Sequence, residues 1–124
     1  FGSSTSYASS RVRTWLNNDF LNAAFSQQQR DLISTTTVDG AGDKVFVPSK
    51  AELTSLVSTA RKATDYALTS GMRNESNGYA YWWTRTAHSS AGNMTVVTQA
   101  NGEMPCAPTK SNIGVVPALN IRLG

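Results

Sequence analysis

The sequence is short of the residues that most enzyme chemistry uses. Its 124 residues include one cysteine, Cys106, and one histidine, His88. A single cysteine excludes an internal disulfide and any zinc site built on cysteine pairs. A metal site would then need oxygen ligands, yet the eight carboxylates are scattered over turns and helices without a cluster. The stretch "DGAGD" at 39–43 has too few acids for the ligand count calcium wants and reads as a turn. No metal or cofactor is expected.

Charge is scarce as well. Asp, Glu, Lys and Arg make up 15% of the chain, against roughly 25% in an average soluble domain. The net charge of +3 comes from 11 basic and 8 acidic residues, and no basic run exceeds the pair Arg61–Lys62. A nucleic-acid footprint concentrates basic residues on one face, so nucleic acid is not an expected partner. No apolar run approaches the roughly 18 residues of a membrane span, and the start lacks the basic and apolar stretches of a signal peptide. Membrane insertion is not expected, and any export signal lies outside the chain.

What remains is a globular composition, 40% hydrophobic and 9% aromatic, of a size that suits one domain over 1–124. Ser9 or Ser10 is placed to cap a first helix, in which Val12, Trp15, Leu16, Phe20 and Ala24 form an apolar stripe. "SQQQ" at 26–29 and "SKAE" at 49–52 fit capping boxes. The first opens a short helix carrying Leu32 and Ile33. The second opens a helix with Leu53, Leu56, Val57 and Ala60 at helical spacing. "TDYALTSG" at 64–71 adds a turn or two of helix closed by Gly71.

The second half reads differently. Between 74 and 124 only Glu75, Arg85, Glu103, Lys110 and Arg122 are charged, and the patterning has period two. "KVFVP" at 44–48 reads as a strand, and "YAYWWTRT" as a strand with Tyr79, Tyr81, Trp83 and Arg85 on one side. Trp82 and Trp83 are core fillers or anchors of a neighbouring surface. "MTVVTQANGEM" reads as a hairpin turning at Asn101–Gly102, and "VVPALNIRL" as a closing strand with Val115, Pro117, Leu119, Ile121 and Leu123 on one face. Helices first and strands second predict an α+β fold, with two to three helices on a small antiparallel sheet.

His88 stands beside Ser89 and Ser90, but adjacency is not a triad. A hydrolase would also need an orienting acid and an oxyanion site. Cys106, between Pro105 and Pro108, has no histidine near it and reads as an inert thiol. From Thr86 to Asn112 the chain is rich in Ser, Thr, Asn, Gly, Ala and Met, a composition of adaptable binding loops or of plain solvated ones.

The order of the motifs is informative. "YASSRVRTWLNNDFLNAAFS", "DKVFVPSKAEL", "TDYAL", "YWWTRT", "NG" and "GVVPALNI" follow one another through nearly the whole chain. They resemble a bacterial and phage domain family of unknown function with the motifs S-x-x-R-x-W-L-N, F-L-L-S-x-x-E, T-x-Y-A, W-W-L-R-S-P and G-V-R-P-A-L. That pattern is similar in layout to C-type-lectin-like domains of the formylglycine-generating type, and to variable target proteins of diversity-generating retroelements. The resemblance implies a C-type-lectin-like fold that displays a low-charge, diversifiable segment, here Thr84 to Asn112.

It also implies what is missing. Thr84, Thr86 and Ala87 replace the family's Leu, Ser and Pro, and Val116 replaces an Arg whose role is either absent or falls to Arg85 or Arg122. Family members carry upstream strands, so an upstream segment or a neighbouring chain is expected to pair with the C-terminal strand. The oxidases of that fold need a cysteine pair, or several histidines with a carboxylate, which one Cys and one His cannot provide.

The expectation is a non-enzymatic domain, on a bacterial cell surface or phage virion, that binds a protein or glycan ligand. Its binding residues would be Thr84, Thr86, His88, Ser89, Ser90, Asn93, Gln99, Met104, Thr109, Ser111 and Asn112. A structural module docking through its terminal edge strand is the alternative.

Overall fold

The structure, a computed structural model, describes residues 1–56, 59–74, 78–97 and 104–123. The chain opens on helices, and two more follow the first hairpin. The Ser10 hydroxyl accepts from the Arg13 amide at 3.2 Å and caps α1, Arg11–Trp15. The helix then widens into a π turn, Leu16–Phe20, before closing as α2, Leu21–Ala24.

The cause of the widening lies in the side chains. The amides of Asn17 and Asn18 donate to the carbonyls of Arg13 and Thr14, four residues back, where they compete with the backbone ladder. Leu21 donates instead to Leu16. One inserted residue shifts the buried stripe, so Val12, Leu16 and Leu21 enter the core while Trp15 and Ala24 face outward. Of the expected stripe Val12, Leu16 and Phe20 face the core, Phe20 partly buried, while Trp15 and Ala24 are corrected to exposed positions.

The capping box Ser26–Gln29 opens α3, Gln27–Leu32. A hairpin follows, with β1 (Thr36–Val38) pairing antiparallel to β2 (Ala41–Asp43). The "DG" of the turn cluster supplies its loop, Asp39 at φ 50° and Gly40 at φ 81°, the positive angles that a two-residue hairpin of this hand requires.

Two polar links fix this hairpin region to α1. Arg13 Nε donates to both carboxylate oxygens of Asp43, at 2.9 and 3.0 Å, and Asp43 is buried. This hydrogen-bonded carboxylate is the main cause that raises the Arg13 pKa. Asn17 accepts the amides of Lys44 and Val45 and donates to the Val45 carbonyl at 2.8 Å. The segment 44–48 is therefore held from the helix side. It is not a regular strand, and its one bridge runs from Phe46 to Ala118.

The box Ser49–Glu52 opens α4, but this helix is a single turn, Lys50–Leu53. Thr54 and Ser55 turn their hydroxyls back onto the carbonyls of Ala51 and Glu52, an alternative to continued helix. The longer helix expected here does not form: Leu53 is buried and Leu56 is exposed, while Val57 lies outside the described residues. Thr64 caps the last helix, α5, Asp65–Thr69, and Gly71 follows it at φ 87°.

The main sheet is antiparallel, in the order β3 (Trp82–Ala87), β4 (Asn93–Val97), β5 (Cys106–Pro108). Both of its faces are covered, which explains why Trp82 and Trp83 are both buried. Trp83, with its cross-strand partner Val96, joins the larger core of Phe1, Tyr7, Leu16 and Val45. Trp82, opposite Val97, joins a smaller core with Leu53 and Ala80. The alternation expected along "YAYWWTRT" thus divides two apolar environments. The register shifts between Trp83 and Ala87, an irregularity before the strand leaves the core.

The C-terminal run is not one strand. It makes single bridges to three separate segments: Gly114 beside Trp82, Ala118 to Phe46, and Ile121 to Ile33. Pro117 offers no N–H between the first two. Of the expected common face Val115 and Leu119 pack on the larger core, while Pro117 and Ile121 are exposed and Leu123 is 93% exposed. The hairpin turn expected at Asn101–Gly102 lies outside the described residues.

Candidate binding surface

Two turns meet at one end of the main sheet. In the first, between β3 and β4, His88 donates its amide to the Asn93 carbonyl at 3.0 Å, and Asn93 donates back to Ser90 at 3.2 Å. Gly92 supplies the positive φ of 76° that closes it. In the second, after β5, the Ser111 amide donates to the Pro108 carbonyl at 3.0 Å. The turns are joined, since Asn93 pairs with Pro108 and the Thr109 amide donates to the Gly92 carbonyl at 3.3 Å.

This end carries Ser89 and Ser90 exposed, with His88, Asn93 and Ser111 half-buried. Beneath it, Met94, Val96 and Ala107 are buried in the larger core. Short polar side chains thus stand on a base that does not need them for packing. The Ser90 amide donates to His88 Nδ1 at 3.1 Å. That bond engages the nitrogen an orienting carboxylate would need in a triad.

The remaining expected residues divide. Thr84 is fully buried, donates its hydroxyl to the Thr95 carbonyl at 2.7 Å and accepts the Thr86 amide. It braces the sheet and has no surface to offer a ligand. Thr109 is also buried and contributes its amide. Thr86 accepts the Lys50 amide at 3.0 Å, on the side of β3 that meets α4. Met104 packs on the smaller core, and Asn112 uses its carbonyl to accept the Arg73 amide at 2.7 Å. Gln99 lies outside the described residues. The five that share the sheet end are His88, Ser89, Ser90, Asn93 and Ser111.

Sequence reasoning passed over Lys110, which is exposed in the second turn. The signal was available, because a lone cation in a low-charge stretch is conspicuous. Arg85 and Arg122 do not take part. Arg85 is committed to Glu52 and Asp39, and Arg122 donates to the Asp31 carbonyl. Among the described residues no group of three His, Cys, Asp or Glu could hold a metal ion.

The fold and surface together define a small α+β domain with a polar turn pair mounted on a two-faced apolar sheet. The chain belongs to the family described as domain of unknown function DUF6273, whose pattern it matches over residues 2–123. No curated protein and no solved structure gives a match to it. No helix among the described residues is long and apolar enough to cross a membrane.

Proposed function

We propose that this chain is a non-enzymatic display domain of C-type-lectin-like build, which presents the sheet end formed by residues 88–93 and 109–111 to a protein or glycan receptor. The observation that carries this reading is the bond from the Thr109 amide to the Gly92 carbonyl. It makes one surface from two turns that are distant in sequence. Small polar side chains on such a base hydrogen-bond adaptably at low ordering cost, as in other loop paratopes. Placement on a bacterial cell surface or a phage virion suits that role. A segment 84–112 diversified at the DNA level would concentrate its variation at the five sheet-end positions and spare Thr84. Replacing those five together and screening protein and glycan arrays tests the reading: ligand choice should change while the fold persists.

A second reading is favoured by one observation. Leu32 and Ile121 are exposed around an apolar hollow of about 220 Å³ that Phe25, Ile33 and Leu119 also line. A contiguous exposed apolar patch of this kind marks interaction surfaces. In this reading the domain assembles with a neighbouring chain through its C-terminal edge. Light scattering of the wild type and of Ile121→Glu separates the two: a dimer lost in the variant supports assembly, and a monomer in both supports display.

A further inference from the structure

Three short segments form a backbone ladder just ahead of β3. Lys62 bridges antiparallel to Tyr79 and Asn74 to Ala80, so residues 79–80 run between two outer segments. The Ala80 amide donates to the Arg61 carbonyl at 2.8 Å, and on the other side the Tyr81 amide donates to the Arg73 carbonyl at 3.4 Å. Alternation sorts the side chains. Ala80 joins the smaller core with Trp82, while Tyr79 and Tyr81, both half-buried, belong to the opposite side.

That opposite side carries two cations. The Lys62 ammonium lies over the Tyr79 ring, 5.7 Å from its centre, and the Arg73 guanidinium over the Tyr81 ring at 4.8 Å. Both residues are exposed. An aromatic ring attracts a cation without neutralising it. Among the described residues, neither Lys62 nor Arg73 makes an ion pair or a side-chain hydrogen bond, whereas Arg13 and Arg85 are both paired with carboxylates. Asp65, the described acid closest in sequence to this face, is paired with neither cation. Two strand spacings separate the outer segments, so the two charges are mounted about 10 Å apart.

We propose that this face binds an acidic glycan, an oligosaccharide with carboxylates or sulfates at intervals along its chain. The Arg73 guanidinium offers a fork of N–H donors to one such group, and the Lys62 ammonium offers a point charge to another. A nucleic acid would call for more phosphate contacts than two cations supply. An acidic peptide suits the face less well, because protein partners seat aromatic or aliphatic anchors in pockets, and here each tyrosine ring already carries a cation. The inference uses none of the five sheet-end residues and does not depend on what they bind.

The probe is a chondroitin sulfate hexasaccharide, titrated calorimetrically into the protein at low salt. N-acetylchitohexaose is the uncharged control and hexaglutamate the peptide control. The expected result is saturable binding of the acidic glycan that weakens as salt is added, no binding of the uncharged one, and weaker binding of the peptide. Arg73→Gln and Lys62→Gln, both at exposed positions, are each expected to weaken the glycan about two- to fivefold, and together about tenfold. Lys50→Gln removes one charge from an exposed position on α4 and is expected to leave the affinity unchanged. Circular dichroism confirms that each variant is folded. Four results would each overturn the proposal: no saturable binding of the hexasaccharide, hexaglutamate binding as tightly, an equal loss in Lys50→Gln, or an unchanged affinity in the double variant.

Discussion

Glu52 opens a helix and anchors a strand with one carboxylate. Its Oε2 accepts the Ser49 amide at 2.9 Å and Arg85 Nη1 at 2.8 Å, and its Oε1 accepts Arg85 Nη2. Arg85 in turn donates to the Val47 carbonyl at 2.9 Å and lies over the Phe46 ring. The first turn of α4 and the strand β3 are therefore fixed to each other by this ion pair, beside the Lys50 amide that donates to Thr86. Because β3 leads directly into the turn at 88–92, this pair sets the base of the proposed binding surface.

Removing either partner tests that link. Arg85 is 10% exposed and Glu52 47% exposed, so the two changes differ. Arg85→Met leaves the Val47 carbonyl and the Glu52 charge without their donor and is expected to cost about 2 kcal/mol. Glu52→Gln keeps an acceptor for the helix cap beside solvent and is expected to cost about 1 kcal/mol. Urea denaturation of the two variants measures both.

The same pair gives an acid limb to stability. The Arg85 hydrogen bond is the first cause holding the Glu52 carboxyl below its usual range. A folded-state pKa below the unfolded one means stability that is present above the unfolded value and lost as pH falls through the folded one. In Glu52→Gln the loss of stability below about pH 4.5 is expected to be shallower than in the wild type.

Tyr7 gives an alkaline limb. Burial, then the charge of Asp43, pushes its hydroxyl up to about 12 from an ordinary 10.0. A raised pKa favours the protonated form in the folded chain. Its contribution is full below pH 10.0 and is lost as pH rises towards about 12. Tyr7→Phe is expected to flatten stability across that interval, as followed by circular dichroism in alkaline titration.

Asn17 is the third link to test. Its side chain satisfies the Lys44 and Val45 amides and the Val45 carbonyl, and it also reaches the Arg13 carbonyl. Asn17→Ala strands those backbone groups at the edge of the core and is expected to cost about 2–3 kcal/mol in chemical denaturation.

These links show where the sequence was readable. The caps at Ser10, Ser26 and Ser49 are local chemistry, and each one forms. The DG turn, the strand through Trp82 and Trp83, and the α+β class are legible for the same reason. What failed depended on competition between local and distant partners. Asn17 and Asn18 open a π turn by bonding to carbonyls four residues back, which no apolar spacing reveals. Thr54 and Ser55 end α4 by the same competition. Thr84 reads as a binding residue on the strand beside an aromatic pair, yet both faces of β3 are covered and its hydroxyl is consumed by the Thr95 carbonyl. The joining of turns 88–92 and 108–111 rests on pairing between β4 and β5, a non-local event. The residues of that surface were named by composition, and their grouping came only from the fold.

The central claim is that the sheet end is a binding face carried by a scaffold indifferent to its side chains. A library randomised at His88, Ser89, Ser90, Asn93 and Ser111, measured for thermal stability and for array binding in parallel, tests it most directly. The account expects most members to melt within about 0.5 kcal/mol per substitution of the parent, with ligand choice differing between members, while Thr84→Val, carried as a control, loses about 1–3 kcal/mol. Widespread loss of folding in the library, or binding that ignores these five positions, would contradict it.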